Sequence, residues 1–388
     1  MPYTPEIQRT PNHALSRRGR FAVAELRVPH AVLSTCAVNG GIREDLALIA
    51  NHQSCEGSGH AGRDDSLHRL PPANYHRQAC AEAGLAPETT CLLGTAASMD
   101  YAALAEAGWE EVNVTAWVTG GVRGNAATAG DAAKWHEREG RWIPAQTEAS
   151  PAPAAGTLNA IVLINLPVTH AALVRAAAMI AEAKAAALRE LATPSLQGYW
   201  GATGTGTDQF AIAAPLATGS QSPLTWSGHH TKLGELLAQA TLRAFRETLR
   251  WQNGLEPSLT RNLGWAGRPF GLDEAALRRE LPPLLPPRSA ELAGRNFEAL
   301  LHHPRAASQF YAFQALEERG HYGTLPVSLL PELRLEQALL LAGYLASDSQ
   351  GGHAPPPPAW REALAPLAHD VKALILRAMA LGYAAKWA

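Results

Sequence analysis

The sequence predicts an α/β or α+β protein, with a layered core of sheets and helices followed by an all-helical C-terminal extension. Three observations predict it. Ala160 to Leu166 and Phe210 to Ala214 are short apolar runs without polar alternation, the pattern of strands covered on both faces. Between them the apolar residues recur at helical spacing. Beyond Leu255 the character changes to helix patterns separated by proline clusters.

Each element follows from its residues. Positions 1–20 are polar and proline-bearing and read as a flexible N-terminal arm. From Phe21 strand-like and helix-like segments alternate. Arg43 to Asn51 reads as a short helix after the Asn39-Gly40-Gly41 turn, and Val112 to Val118 as a strand entering a second glycine turn. Gly140 to Gly156, rich in proline and alanine and without periodicity, reads as a surface loop. The strand over Ala160 to Leu166 stops at Pro167. Thr169 then caps a helix with Leu173, Ile180, Ala187, Leu188 and Leu191 on one stripe and Arg175, Glu182 and Arg189 on another; Pro194 ends it. Thr203 to Asp208 supplies three hydroxyls, two glycines and a carboxylate just before the second buried strand. Ser227 to Trp251 closes the core with a helix whose Leu233, Leu236, Leu237, Ala240 and Phe245 face inward. The division is an arm over 1–20, a core domain over 21–254 and a helical extension over 255–388. In the extension the helix patterns fall at Ala290 to His302, Ala306 to Arg319, Leu333 to Ala346 and Trp360 to Ala384, with Pro355 to Pro358 as a stiff extended linker.

Bulk properties exclude several functions. A hydrophobic share of 46% and a charged share of 18% over 388 residues fit a globular chain with a large core. A formal net charge of −2 gives no overall pull toward nucleic acid or anionic lipid. No apolar run approaches the length of a membrane span, and Arg17-Arg18-Gly19-Arg20 is not followed by a signal-peptide pattern, so a cytoplasmic location is expected. The cysteines at 36, 55, 80 and 91 have irregular spacing and read as reduced thiols. Thr203-Gly204-Thr205-Gly206-Thr207 lacks the Gly-Lys-Ser/Thr ending of a P-loop, and Asn39-Gly40-Gly41 is no dinucleotide fingerprint, which excludes nucleoside triphosphate hydrolysis.

Polar groups gathered at strand ends suggest hydrolysis of an amide. Such a site needs an activated nucleophile, stabilisation of the tetrahedral oxygen and a proton for the leaving nitrogen. Three arrangements would supply them. In the first, Thr157 is the nucleophile, with Asn125 and the backbone of Gly120, Gly121 and Gly124 as oxyanion donors. The Gly156-Thr157 step before a buried strand resembles the self-cleavage point of ornithine acetyltransferases; the competing reading is that Thr157 merely starts a strand. In the second, Asp131 and Asp208, each at a glycine- and threonine-rich turn, divide base and acid roles, against the plainer reading that they cap backbone N–H groups. In the third, His52, Cys55 and His60 hold a metal, a spacing that matches no standard site and favours surface or substrate-facing histidines.

The chain resembles the adenosylcobinamide amidohydrolase (CbiZ-type) family over roughly positions 20–250, in matching order. The resemblance is carried by the run from Val32 to Gly41, Asn51-His52, Gly94-Thr95-Ala96-Ala97, Thr119-Gly120-Gly121, Gly124-Asn125-Ala126 and Gly130-Asp131. It continues through Gly156-Thr157-Leu158-Asn159, Glu182-Ala183-Lys184, Thr203 to Asp208, Gly228 and Leu233-Gly234. It implies removal of the aminopropanol arm from a corrinoid. The chemistry weighed above, strengthened by membership of these motifs, gives Asp208, Asp131, Thr157 and Asn125 as the expected catalytic residues, with Asn39, Gly40, Gly41, Asn51, His60, Gly120, Gly121, Thr203, Gly204, Thr205 and Thr207 expected on the substrate. The resemblance implies no cofactor of the enzyme's own, cobalt entering only within the corrinoid. The partner expected is that small molecule, with neither nucleic acid nor a membrane span involved and homo-oligomerisation left open. The loop Cys55-Glu56-Gly57-Ser58-Gly59-His60 departs from the family's Tyr-Asp-His ending, only the histidine matching, which leaves room for another amide substrate.

Overall fold

Strand pairing in the core follows from runs that bury one face between two sheets. The computed structural model describes residues 6–54, 70–139, 141–145, 156–347 and 356–387. They form two compact units, Met1–Leu191 with Ala202–Leu255, and Ala192–Gly201 with Glu256–Ala388.

In the first unit the strands are β1 (Glu6–Arg9), β2 (His13–Arg18), β3 (Phe21–Leu26), β4 (His30–Ser34), β5 (Gly41–Arg43), β6 (Leu48–Gln53), β7 (Thr90–Thr95) and β8 (Ala103–Trp109). They continue with β9 (Val112–Gly121), β10 (Ala126–Ala127), β11 (Trp135–Arg138), β12 (Arg141–Pro144), β13 (Thr157–Ile164), β14 (Gly204–Thr205) and β15 (Gln209–Pro215). Of the two large sheets, one has the order β1-β2-β3-β6-β7 and the other β5-β4-β15-β13-β9-β8, while β10 with β14 and β11 with β12 form two-stranded pairs. Leu15, Ala24, Ile49 and Leu93 of the first sheet share one core with Val32, Trp117, Ile161 and Ala213 of the second. The sheets therefore face each other.

Helices cover the outer faces. Helix α1 (Pro72–Ala83) lays Ala79 and Cys80 on Phe21, Val23 and Ala50. Helices α2 (His170–Glu190) and α3 (Lys232–Asn253) pack on the second sheet and on each other. Thr169 caps α2 by accepting from Ala172 N, and Leu173, Ile180, Ala187 and Leu188 are buried, as the periodicity predicts. The five inward residues predicted for α3 are all buried as well. As the crossover between β13 and β15, α2 joins two parallel neighbours, and both strands are sealed on two faces.

Two expectations need correction. The arm expected over 1–20 is, from Glu6, the hairpin β1–β2, with β2 laddered along its whole length to β3. Its alternation is hidden by arginine and histidine on a strand whose His13, Ala14 and Leu15 are buried. The helix expected over Arg43 to Asn51 is instead the end of β5 and most of β6. Non-local ladders to β3 and β7 override a local apolar spacing that fits either period.

The second unit is helical, as expected. Its core includes Phe270, Phe297, Phe310, Phe313, Leu341 and Met379. The longest helices are Pro304–His321, Leu330–Ala346 and Val371–Ala385. Pro358 starts a helix instead of continuing an extended linker, which its fixed φ suits at a first helical position; Pro355 lies outside the described residues. Segment Ala192–Gly201, contributed from between α2 and β14, packs Tyr199 on this core and stacks Trp200 on His321 with ring centroids 4.1 Å apart.

Candidate active site

The ends of β6, β7 and β9 and the starts of β13 and β15 meet at one end of the double sheet. In register, Asn159 stands between Thr119 and Gln209, and it faces Asn51 and Gly94 across the sheet interface. A polar belt results. Asn51 Nδ2 donates to Thr119 Oγ1 at 2.8 Å, and Asn159 Nδ2 donates to Asn51 Oδ1 at 3.0 Å and to Gly94 O at 2.9 Å. Gln209 N donates to Asn159 Oδ1, and Gly94 N to Gln209 Oε1. Asn51, Thr119 and Asn159 are at most 1% exposed, so each polar group must find its partner inside the protein. The belt fixes sheet register. Asn51, expected on the substrate, is corrected to this interior role because both its amide atoms are committed there.

Two residues before Asn159, on the same face of β13, stands Thr157. Here the turn after β9 meets the turn before β15. Ala126 pairs with Thr205 and Ala127 with Gly204, while Thr203 binds Ala127 O and Ala129 N. Thr207 Oγ1 donates to Gly156 O at 2.8 Å and Asn125 Nδ2 donates to the same oxygen at 3.1 Å. Thr157 Oγ1 lies 2.7 Å from Thr207 Oγ1. Gly156 and Thr157 are buried and Thr207 is exposed, so the cluster opens to solvent through the turn.

Asp208 holds this turn in place. Oδ1 accepts from Leu158 N and Thr205 Oγ1, and Oδ2 accepts from Thr205 N and from Lys184 Nζ at 2.6 Å. A carboxylate offers about four lone-pair sites, and four donors use them. Gly204 makes the pair possible: a Cβ there would sit 2.6 Å from Asp208 Oδ2 and 2.9 Å from Lys184 Nζ. Glu182, two residues earlier on α2, points to exposed His229 at 2.6 Å.

Other expected site residues fall elsewhere. Asn39 donates to Pro87 O and Thr90 O, at the start of β7, whereas Gly94 lies at its other end; the turn Asn39 to Gly41 is thus not brought to Thr157. Gly120 N is spent on Thr248 Oγ1, and Gly121 sits in the ladder opposite Thr157, so neither serves as the oxyanion donor expected. Asp131 accepts from Thr128 N at 2.7 Å, which is a turn cap. His52 is buried, stacked on Phe21 and 3.0 Å from Tyr75 Oη, while Cys55 and His60 lie outside the described residues. Among the described residues no group of three His, Cys, Asp or Glu side chains is arranged to hold a metal ion.

Sequence reasoning missed the partner of Asp208. Its signal was present: Lys184 is four residues after buried Ile180, half-buried at the edge of the apolar stripe of α2, where a lysine favours an anionic partner.

Comparison with known proteins bears on the first unit. The family model described as adenosylcobinamide amidohydrolase matches residues 5–257, from just before β1 to just past α3. An uncharacterised protein of Methanocaldococcus jannaschii is 33% identical over 199 residues, 50% of this chain and 74% of that relative. Among the described residues no helix is long and apolar enough to cross a membrane. The match takes in well over half the chain and every residue of the Thr157 cluster, and on that ground the chain belongs to the adenosylcobinamide amidohydrolase family, whose description is that of a hydrolase.

Proposed function

We propose that the first unit hydrolyses the amide between the aminopropanol arm and the corrinoid ring of adenosylcobinamide, giving adenosylcobyric acid in corrinoid salvage or remodelling. The observation that carries this reading is the pair of side-chain donors, Asn125 Nδ2 and Thr207 Oγ1, aimed at one carbonyl oxygen beside a threonine hydroxyl. Acyl transfer needs that grouping: two donors for a developing oxyanion and a nucleophile within reach. The family's description supplies the substrate class. Lys184 and Asp208 hold the turn that carries Thr207, with the carboxylate occupied as an anchor and not free as a base. The cobalt enters as part of the substrate.

The test is incubation of the whole chain with adenosylcobinamide while free aminopropanol and adenosylcobyric acid are measured. Stoichiometric release of both supports the reading. Binding of the corrinoid without release would make the chain a carrier, and hydrolysis of other amides alone would move it to a different substrate, consistent with the departure of the sequence from Cys55 to Gly59.

A further inference from the structure

We propose that the chain cuts its own Gly156–Thr157 bond, and that Thr157, freed as an N-terminal residue, is the nucleophile of the amide hydrolysis. The second half rests on the function proposed above; the first half stands on geometry.

The carbonyl of Gly156 is the only acceptor that Asn125 Nδ2 and Thr207 Oγ1 share among the described residues, at 3.1 and 2.8 Å. Two donors on one oxygen polarise the carbonyl and await the negative charge of a tetrahedral centre. A hydroxyl has a single proton. Thr207 gives its proton to Gly156 O, so in the 2.7 Å contact Thr157 Oγ1 donates to Thr207, and its own lone pairs remain for attack. Glycine at 156 permits the approach: a Cβ there would meet Asn125 Cβ at 3.0 Å and Gly121 O at 3.1 Å. Downstream, Leu158 N is held by Asp208 and β13 is laddered on both sides, which keeps Thr157 in place after a cut.

The step balances as follows. Thr157 Oγ1 adds to the carbonyl carbon of Gly156, closing a five-membered ring, and the oxyanion is held by Asn125 and Thr207. The hydroxyl proton passes through Thr207 Oγ1 to the leaving nitrogen of Thr157, the C–N bond breaks, and an ester joins Gly156 to Thr157 Oγ1. Water then adds to the ester carbonyl. The C–Oγ1 bond breaks, one proton of that water goes to Thr157 Oγ1, the other leaves as the new acid ionises and passes through the α-amine to bulk water, and the products are a Gly156 carboxylate and a Thr157 with free amine and hydroxyl. An α-amine ordinarily titrates at about 7.7–8, so near neutrality its basic form is available to take the proton of the adjacent hydroxyl when that attacks substrate. The donors freed from Gly156 O then meet the substrate carbonyl. One pair of donors serves twice.

Intact mass and N-terminal sequencing of the full-length chain test this. The wild type is expected as two fragments, Met1–Gly156 and Thr157–Ala388, and Thr157→Ser likewise. Thr157→Ala is expected as one uncut chain with a wild-type melting profile, and Asn125→Ala as a chain cut ~10²–10³-fold more slowly, the cost of one oxyanion donor. A wild type that stays whole, or a Thr157→Ala chain cut at the same bond, overturns the proposal. The two readings separate cleanly: fragments without aminopropanol release leave the cut standing and remove the substrate, whereas an intact chain that releases aminopropanol does the reverse.

Discussion

Lys184 Nζ and Asp208 Oδ2 lie 2.6 Å apart, joining the middle of a helix to the turn before the next strand, with side chains 20% and 13% exposed. Removing either partner takes the opposite charge from the other in a site largely shut off from water, even though Asp208 keeps its donors from Leu158 N and Thr205. Lys184→Met and Asp208→Asn are each expected to cost about 3 kcal/mol in urea denaturation. The double variant should recover part of that loss, because the cycle isolates their coupling. Aminopropanol release should fall alike in both single variants; loss in Asp208→Asn with full rate in Lys184→Met would make Asp208 a base after all.

The belt between the sheets predicts a second stability effect. Asn159→Leu removes the partner of Asn51 Oδ1, Gly94 O and Gln209 N at a fully buried position. Leaving such groups unsatisfied costs about 1–3 kcal/mol each, so a fall in urea midpoint larger than that of a surface Asn→Leu control is expected. An unchanged midpoint would remove the belt's structural role.

Stability should also decline in mild acid. Burial, and next the neighbouring His30, push the His13 imidazole down to about 4, and burial lowers His30 too. Their folded values lie below the unfolded value of 6.5, so the unfolded chain binds more protons in between. The stabilisation is complete above about pH 6.5 and is lost as pH falls toward 4. Thermal melts from pH 7 to 4 should show the drop, and His13→Leu should flatten it without abolishing it, since His30 remains.

The helical unit contains its own buried ion pair. Arg334 Nε and Nη2 each lie 2.6 Å from the carboxylate of Glu317, which is 7% exposed. Glu317→Gln is expected to lower the stability of this unit by about 3 kcal/mol, read as an earlier second transition in calorimetry. A melt indistinguishable from wild type would show that the pair contributes nothing net.

Where one element decides its own state, the sequence was legible. The Thr169 cap, the stripe from Leu173 to Leu188 and the unbroken apolar run of β13 each specify local structure, and all three stand in the fold. The segment from Arg43 to Asn51 was misread because its partners in β3 and β7 lie far along the chain. The site divides the same way. Thr157, Asn125, Thr207 and Asp208 were named from turn chemistry, but turn chemistry does not say which carbonyl two donors share. Asn51 looked like a ligand group because a polar residue in a motif suggests exposure, and only the facing sheet shows it enclosed.

The segment Ala192–Gly201 is completed by helices that begin only at Pro257. A ribosome adding roughly 5–20 residues per second therefore leaves Tyr199 without Phe270 for about 4–14 seconds and Trp200 without His321 for about 6–24 seconds. The family domain cannot finish burying its own sequence when its last strand emerges. Until the C-terminal helices arrive, both rings lack these partners.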